Sequence, residues 1–241
     1  MNYEALMLEA IELAQRGRGE VEPNPRVGCI LLQGGVPVAQ GWHEYFGGRH
    51  AEAMALDEAR AKGAKPDTAV VTLEPCSTPK GQDGKKTPPC AQALVDAGLK
   101  TVVIGALDPD PRHRRHGIEV LEQAGIEVID GVHATRCDAI NRPFQKALKQ
   151  KRPWTLCKWA MTLDGKTAAP TGEARWISGA EARRRTHELR ARCCGVMVGF
   201  RTAQIDDPEL TVRHVEGKQP IRIVVDPLGE IDDDSNLVRT A

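Results

Sequence analysis

Apolar positions in the first half of the chain switch repeatedly between two spacings. Leu6, Ala10, Leu13 and Ala14 recur at the helical period behind Asn2, a helix-capping residue, and the pattern breaks at Gly17 and Gly19. Val27 to Leu32 and Val36 to Gly41 are short apolar runs on either side of Gly34-Gly35, which predicts a β-hairpin. Helices and strands then alternate: a helix over Ala51 to Lys62, a buried strand over Ala69 to Leu73, a helix over Cys90 to Ala97 stopped by Gly98, and a strand over Thr101 to Gly105. Gly117 to Ala124 and Ala134 to Leu148 read as two further helices flanking a short strand at Glu127 to Ile129. This alternation predicts a three-layer α/β domain with helices on both sides of a sheet.

The basic, polar stretch Lys146 to Arg152, ending in Pro153, marks a boundary and predicts one domain over residues 1–145 and a second over residues 153–241. The second is again α/β. Its expected parts are a strand at Trp154 to Trp159, a helix opened by the capping box Ser178-x-x-Glu181, and strands at Val196 to Gly199 and Ile221 to Asp226. The chain shows no internal repeat or low-complexity tract.

Charge changes this picture little. The 33 basic residues balance 33 acidic ones, so no overall positive field argues for a nucleic-acid backbone or an anionic membrane, and a small-molecule partner is the simpler expectation. No apolar run reaches a membrane-spanning length, and Met1 to Glu12 mixes acids with apolar residues, unlike a signal sequence; a cytoplasmic location is expected. The seven cysteines are odd in number and scattered, which in a reducing compartment reads as metal or core thiols and not as a disulfide framework.

The chemistry concentrates in three places. His50-Ala51-Glu52 opens a predicted helix, Glu74-Pro75-Cys76 follows directly on a predicted strand, and Pro88-Pro89-Cys90 opens the next helix. Ligand sites of α/β sheets collect where strand carboxyl ends meet helix amino ends. Three N/S ligands, His50, Cys76 and Cys90, would leave a zinc ion one open position for a water whose pKa falls towards neutrality. Glu52, two residues after the His, would shuttle the proton. His-x-Glu followed by Pro-Cys-x-x-Cys is the zinc-deaminase signature. Here residues 77–89 put thirteen positions between the cysteines, so this loop must fold back for the cysteines to meet. A lone His or Cys is more often a core or surface residue; the ordered set is what carries the reading. Cys29, Cys137, Cys157, Cys193 and Cys194 lack such context and read as structural.

At these residues the chain resembles the RibD family of bifunctional riboflavin-biosynthesis enzymes. The resemblance is carried by Asn24-Pro25-Arg26-Val27-Gly28-Cys29, Gly41-Trp42-His43, His50-Ala51-Glu52, Thr72-Leu73-Glu74-Pro75-Cys76-Ser77 and Thr87-Pro88-Pro89-Cys90. It implies a cytidine-deaminase-like zinc domain acting on 2,5-diamino-6-(5-phosphoribosylamino)pyrimidin-4-one, with Asn24 holding the pyrimidine and His43 near the phosphoribosyl end. The loop departs from the family in lacking a His soon after Cys76, and Lys80, Lys85 and Lys86 are its candidates for meeting the substrate phosphate.

The second domain resembles the start of the family's dihydrofolate-reductase-like half through Lys158 to Ala168, Trp176-Ile177-Ser178, Asp206 to Arg213 and Pro220 to Asp226. By that resemblance Ala160, Trp176, Thr202 and Asp206 would touch NADPH, and Arg190, Leu210 and Arg213 the phosphoribosyl substrate. Ala174 and Pro227 stand where relatives have a polar substrate contact and a cofactor neighbour. The sequence ends at Ala241, ahead of the family's later strands and glycine-rich turn, so a partial reductase domain with weak NADPH binding and impaired reduction is expected. Two rival readings stand beside this one: another zinc deaminase, acting on a nucleoside or tRNA adenosine, and a non-catalytic module with a four-ligand structural zinc. A homo-oligomer remains open.

Overall fold

The computed structural model describes residues 1–79, 88–174 and 176–241, and the chain divides into two compact units, Met1–Trp154 and Thr155–Ala241. The first contains α1 (Tyr3–Gln15), β1 (Gly28–Gln33), β2 (Val36–Trp42), α2 (Ala51–Ala61), β3 (Thr68–Leu73), α3 (Cys90–Asp96), β4 (Thr101–Ala106), α4 (His116–Gln123), β5 (Glu127–Ile129), α5 (Ala134–Ile140) and α6 (Arg142–Gln150). Asn2 caps α1 as the sequence predicts, its side chain accepting from the Ala5 N–H at 3.1 Å.

The sheet runs in the order β2-β1-β3-β4-β5. β1 pairs antiparallel with both β2 and β3, whereas β3, β4 and β5 are parallel. All six residues of β3 are buried, because both faces of the sheet are covered. Alternate side chains go to opposite faces: Cys29, Leu31, Ala69, Val71, Val102 and Ile104 pack under α2, α3 and α4, while Ile30, Leu32, Val70 and Val103 pack against α1 and α5. The expected three layers are therefore present. Close approach decides one position: a Cβ on Gly28 would lie 2.0 Å from the Ala10 carbonyl oxygen, so α1 can rest on β1 at this distance only over a glycine.

One long helix was expected over Ala134 to Leu148, but the structure breaks it at Asn141 into α5 and α6. Pro143 has no N–H to continue the ladder, and the Asn141 side chain is spent on a distant backbone partner.

The second unit contains α7 (Ala180–Ala191), β6 (Gly195–Gly199), α8 (Phe200–Asp206), β7 (Ile221–Val225) and α9 (Asn236–Arg239). β6 and β7 pair in parallel, and a small core forms around Ala203, Leu210 and Leu237. Two local expectations fail here. Trp154 to Trp159 is not a strand: no neighbouring strand pairs with it among the described residues, and Leu156 and Trp159 are exposed. The capping box does not form either, since Gly179 is the N-cap of α7 and Glu181 is drawn to Arg184 instead of reaching back.

Candidate functional site

The sequence places His50 at the N-cap of α2, Cys76 three residues beyond the end of β3, and Cys90 as the first residue of α3. Folding brings them together, so that one donor atom from each lies within 4.8 Å of the others. His50 Nδ1 is 3.6 Å from Cys76 Sγ and 3.3 Å from Cys90 Sγ. The two cysteine segments are tied as well: the Cys90 N–H donates to Cys76 Sγ at 3.3 Å, and the Ala91 N–H to the Cys76 carbonyl at 3.1 Å.

These spacings fit a zinc ion. With Zn–N near 2.0–2.1 Å and Zn–S near 2.3 Å, a tetrahedral centre separates an N and an S ligand by roughly 3.5 Å, and the two measured N···S distances bracket that figure. Imidazole and two thiols are also the donor types zinc prefers.

Glu52 lies in the first turn of α2 and is only 3% exposed. Burial, and after it the neighbouring Cys76 sulfur, hold its carboxyl above the ordinary carboxylate range. Behind it Cys29 is fully buried, and burial pushes its thiol well up, which leaves it a neutral core residue.

Asn24 and His43 form a second polar pair. His43 Nδ1 lies 2.8 Å from the Arg49 carbonyl, which can only accept, so Nδ1 carries the proton and Nε2 is the acceptor. Nε2 in turn receives the Asn24 Nδ2 group at 3.1 Å. The Asn24 amide is thereby fixed with one N–H spent on His43, while its Oδ1 and second N–H meet no partner among the described residues. Burial lowers the His43 pKa against the opposing pull of the Arg49 carbonyl, consistent with a neutral ring. The His43 and His50 ring centroids are 5.6 Å apart.

Sequence reasoning missed two supports of this site. Glu74, seen only as part of a motif, is 5% exposed, and its carboxylate accepts from the N–H groups of Asp108, Arg115 and Gly117, each at 3.0 Å. It thus ties the end of β3 to the loop after β4 and the start of α4. A Cβ on Gly117 would sit 1.9 Å from the Pro75 oxygen, so the approach again requires glycine. Nearby, Thr78 Oγ1 and His113 Nδ1 are 3.3 Å apart, and the Arg112 side chain holds the Asp110 carboxyl down at about 2. The second missed support, Asn141, gives no local signal because its partner lies 115 positions away. Lys80, Lys85 and Lys86 fall outside the described residues.

In the second unit Thr202 and Asp206 lie on α8, which begins at the carboxyl end of β6. Arg190 on α7 is half-buried and donates to the Thr211 carbonyl at 2.6 Å; burial lowers its pKa. Arg213 is exposed and bonds Glu209 at 2.9 Å and Thr211 at 3.1 Å, whereas Leu210 is in the core with a φ of 56°. Trp176 is 73% exposed, with the Arg183 guanidinium 4.2 Å from its ring centroid, and Ala160 lies in irregular chain. Cys157 and Cys194 are exposed and so are not the core thiols expected from the sequence; Cys137 is buried.

Residues 1–106 match the family described as the cytidine and deoxycytidylate deaminase zinc-binding region, and residues 153–241 match the RibD C-terminal domain. Riboflavin biosynthesis protein RibD of Actinobacillus pleuropneumoniae is 43% identical over 237 residues, which cover 98% of this chain and 61% of that relative. A crystal structure of a diaminohydroxyphosphoribosylaminopyrimidine deaminase/5-amino-6-(5-phosphoribosylamino)uracil reductase from Thermotoga maritima superposes with a TM-score of 0.87 at 42% identity, covering 95% of this chain and 64% of that one. Acinetobacter baumannii RibD, form 1, gives a TM-score of 0.88 at 37% identity, over 98% of this chain and 67% of that one. The chain therefore spans a little under two thirds of the length of the first two, and with a cytidine-deaminase-like zinc-binding region at one end and a RibD C-terminal domain at the other it belongs to the RibD family.

Proposed function

We propose that the first unit hydrolyses the 2-amino group of 2,5-diamino-6-(5-phosphoribosylamino)pyrimidin-4-one, water replacing the amine as a carbonyl oxygen with release of ammonia. The observation that carries this reading is the His50, Cys76 and Cys90 cluster with Glu52 buried two residues beyond its first member. Zinc held by those three residues would supply an acidified water at its open fourth position. Glu52 takes a proton from the attacking water and delivers it to the departing amine, a transfer that burial favours by keeping bulk water away. Asn24 offers its remaining donor and acceptor to the pyrimidine edge. The cluster has three members among the described residues, which supports an open catalytic site over a four-ligand structural zinc.

The second unit we assign to reduction of the deaminated product: NADPH, if bound there, would supply a hydride that with a proton would turn the ribosyl carbonyl into an alcohol. Thr202 lies in the first turn of α8, which begins at the carboxyl end of a parallel strand, where α/β sheets bind ligands, and we assign it to the cofactor together with Asp206 at the other end of that helix, Ala160 and Trp176. Arg190, Leu210 and Arg213 serve the phosphoribosyl group, the arginines through their planar forks. Balanced charge supports a small-molecule substrate over nucleic acid, and among the described residues no helix is long and apolar enough to cross a membrane.

The test is ammonia release from the zinc-loaded chain with the diaminopyrimidine ribotide, cytidine and an adenosine-bearing tRNA in parallel, followed by substrate-dependent loss of NADPH absorbance. Ammonia release confined to the ribotide is expected; NADPH loss that follows it supports the second assignment, whereas ammonia release without NADPH loss supports the impaired reduction expected from the sequence. Faster release from cytidine or tRNA would overturn the substrate assignment.

A further inference from the structure

β1 begins at Gly28, so Arg26 lies ahead of the sheet, yet it is only 8% exposed. Its backbone N–H and C=O would therefore be buried with no strand to pair them. Asn141 supplies both partners: Oδ1 accepts from the Arg26 N–H at 2.8 Å, and Nδ2 donates to the Arg26 carbonyl at 2.9 Å. One side-chain amide thus does the work of a strand residue, since it alone offers a donor and an acceptor in one plane. Asn141 is itself 3% exposed and stands at the break between α5 and α6. On its other side the same segment is bonded to the His43 residue, whose N–H donates to the Val27 carbonyl at 3.0 Å and whose ring receives the Asn24 amide at 3.1 Å. Asn24 lies two residues from the clamped peptide.

We infer that Asn141 is a positioning residue for substrate binding: by clamping the Arg26 peptide it sets the place of the Asn24 amide. The inference rests on the reading of Asn24 as a substrate contact. Among the described residues the Asn141 side chain bonds Arg26 alone, so its loss loosens the Asn24 side of the pocket and leaves the metal ligands and Glu52 in place.

A double-mutant cycle on the full, zinc-loaded chain tests this, with ammonia release from the diaminopyrimidine ribotide as the assay. Asn141→Ala should raise KM on the order of 10-fold, as small misplacements of binding groups do, with kcat and zinc content within about 2-fold of the parent. Asn141→Ser, whose hydroxyl can keep one of the two bonds, should give a smaller rise and serves if the alanine variant does not fold. In an Asn24→Ala background the Asn141 substitution should raise KM no further. Equal KM effects in both backgrounds, or a fall in kcat and zinc content at unchanged KM, would show a merely structural role and overturn the inference. A silent Asn24→Ala would overturn the reading of Asn24 and the inference together, whereas a strong Asn24→Ala effect beside silent Asn141 variants would overturn the inference alone.

Discussion

The two units differ in how they hold most of their candidate functional side chains, Leu210 and half-buried Arg190 of the second unit apart. In the first, Glu52, His43 and Cys90 are at most 3% exposed, and His43 and Cys90 are tied to other segments by hydrogen bonds. In the second, Trp176, Thr202 and Arg213 are exposed, and the ion pairs of Arg184 with Glu181 and Glu188 and of Arg213 with Glu209 lie at the surface. The proposed hydrolysis needs its proton carrier fixed and shielded from bulk water, which the burial of Glu52 provides, while His50 and Cys76 are half-buried beside it. A surface that meets a charged, phosphate-bearing ligand can rely on long basic side chains, each of which costs little to rearrange.

The largest effect that would sharpen this contrast is loss of a metal ligand. Cys76→Ala or Cys90→Ala should abolish zinc binding and ammonia release together, because a two-ligand remnant cannot hold the ion; elemental analysis beside the ammonia assay checks it, and a zinc-free variant that still turns over would break the assignment. Next comes Glu52→Gln, which should keep zinc and fold while turnover drops on the order of 10²-fold or more. Parent-like kcat in that variant would remove Glu52 from the chemistry.

A smaller effect compares backbone packing in the two units. Gly28→Ala puts a methyl 2.0 Å from the Ala10 oxygen and should cost about 1–3 kcal/mol of stability or more through overpacking, seen as a clear fall in melting temperature. Gly199→Ala meets nothing within 4 Å and should stay within about 0.5 kcal/mol of the parent. Equal losses in calorimetry would erase the distinction between a tight and an open unit.

The smallest effect is a titration. Burial, then the Arg190 and His214 charges, push His187 down to about 4, and its Nδ1 accepts from the Arg213 N–H at 3.2 Å. The folded value lies below the ordinary imidazole value of about 6.5, so the unfolded chain takes up the proton first as pH falls. The contribution of neutral His187 is therefore complete above about 6.5 and is lost as pH drops towards 4. NMR titration of the His187 ring should give a midpoint near 4, and His187→Gln should flatten the acid limb of the stability curve; a midpoint near 6.5 would contradict the burial.

How much of this was legible in the sequence depends on the range of the interaction. The Asn2 cap, the Gly34-Gly35 hairpin and the alternating strands are written in neighbouring residues, and they appear where expected. His50, Cys76 and Cys90 could be named because each sits at a junction of a strand or helix whose type is itself legible. The break at Asn141 had one local signal, Pro143, which the reading of a single helix over Ala134 to Leu148 passed over, and one distant cause, the amide pairing with Arg26, that no local pattern announces. The failed capping box teaches the same lesson at short range: Arg184, three residues on, competes for Glu181 and wins. Trp154 to Trp159 has the composition of a strand, but composition cannot supply the neighbour that a strand needs.

The 115-residue separation of Arg26 and Asn141 also predicts an order of assembly. Their pairing closes a loop of 115 residues, whereas the three donor residues all lie within the first 90 positions and the sheet strands they depend on end at Ala106. Contacts distant in sequence carry the greater entropic toll and form late. A nascent chain emerging residue by residue would thus have its metal donors assembled while the Asn24 segment still lacked its clamp, and ion capture would precede completion of the pocket. Pulsed hydrogen exchange should find the Arg26 amide gaining protection after the amides of β3 and β4.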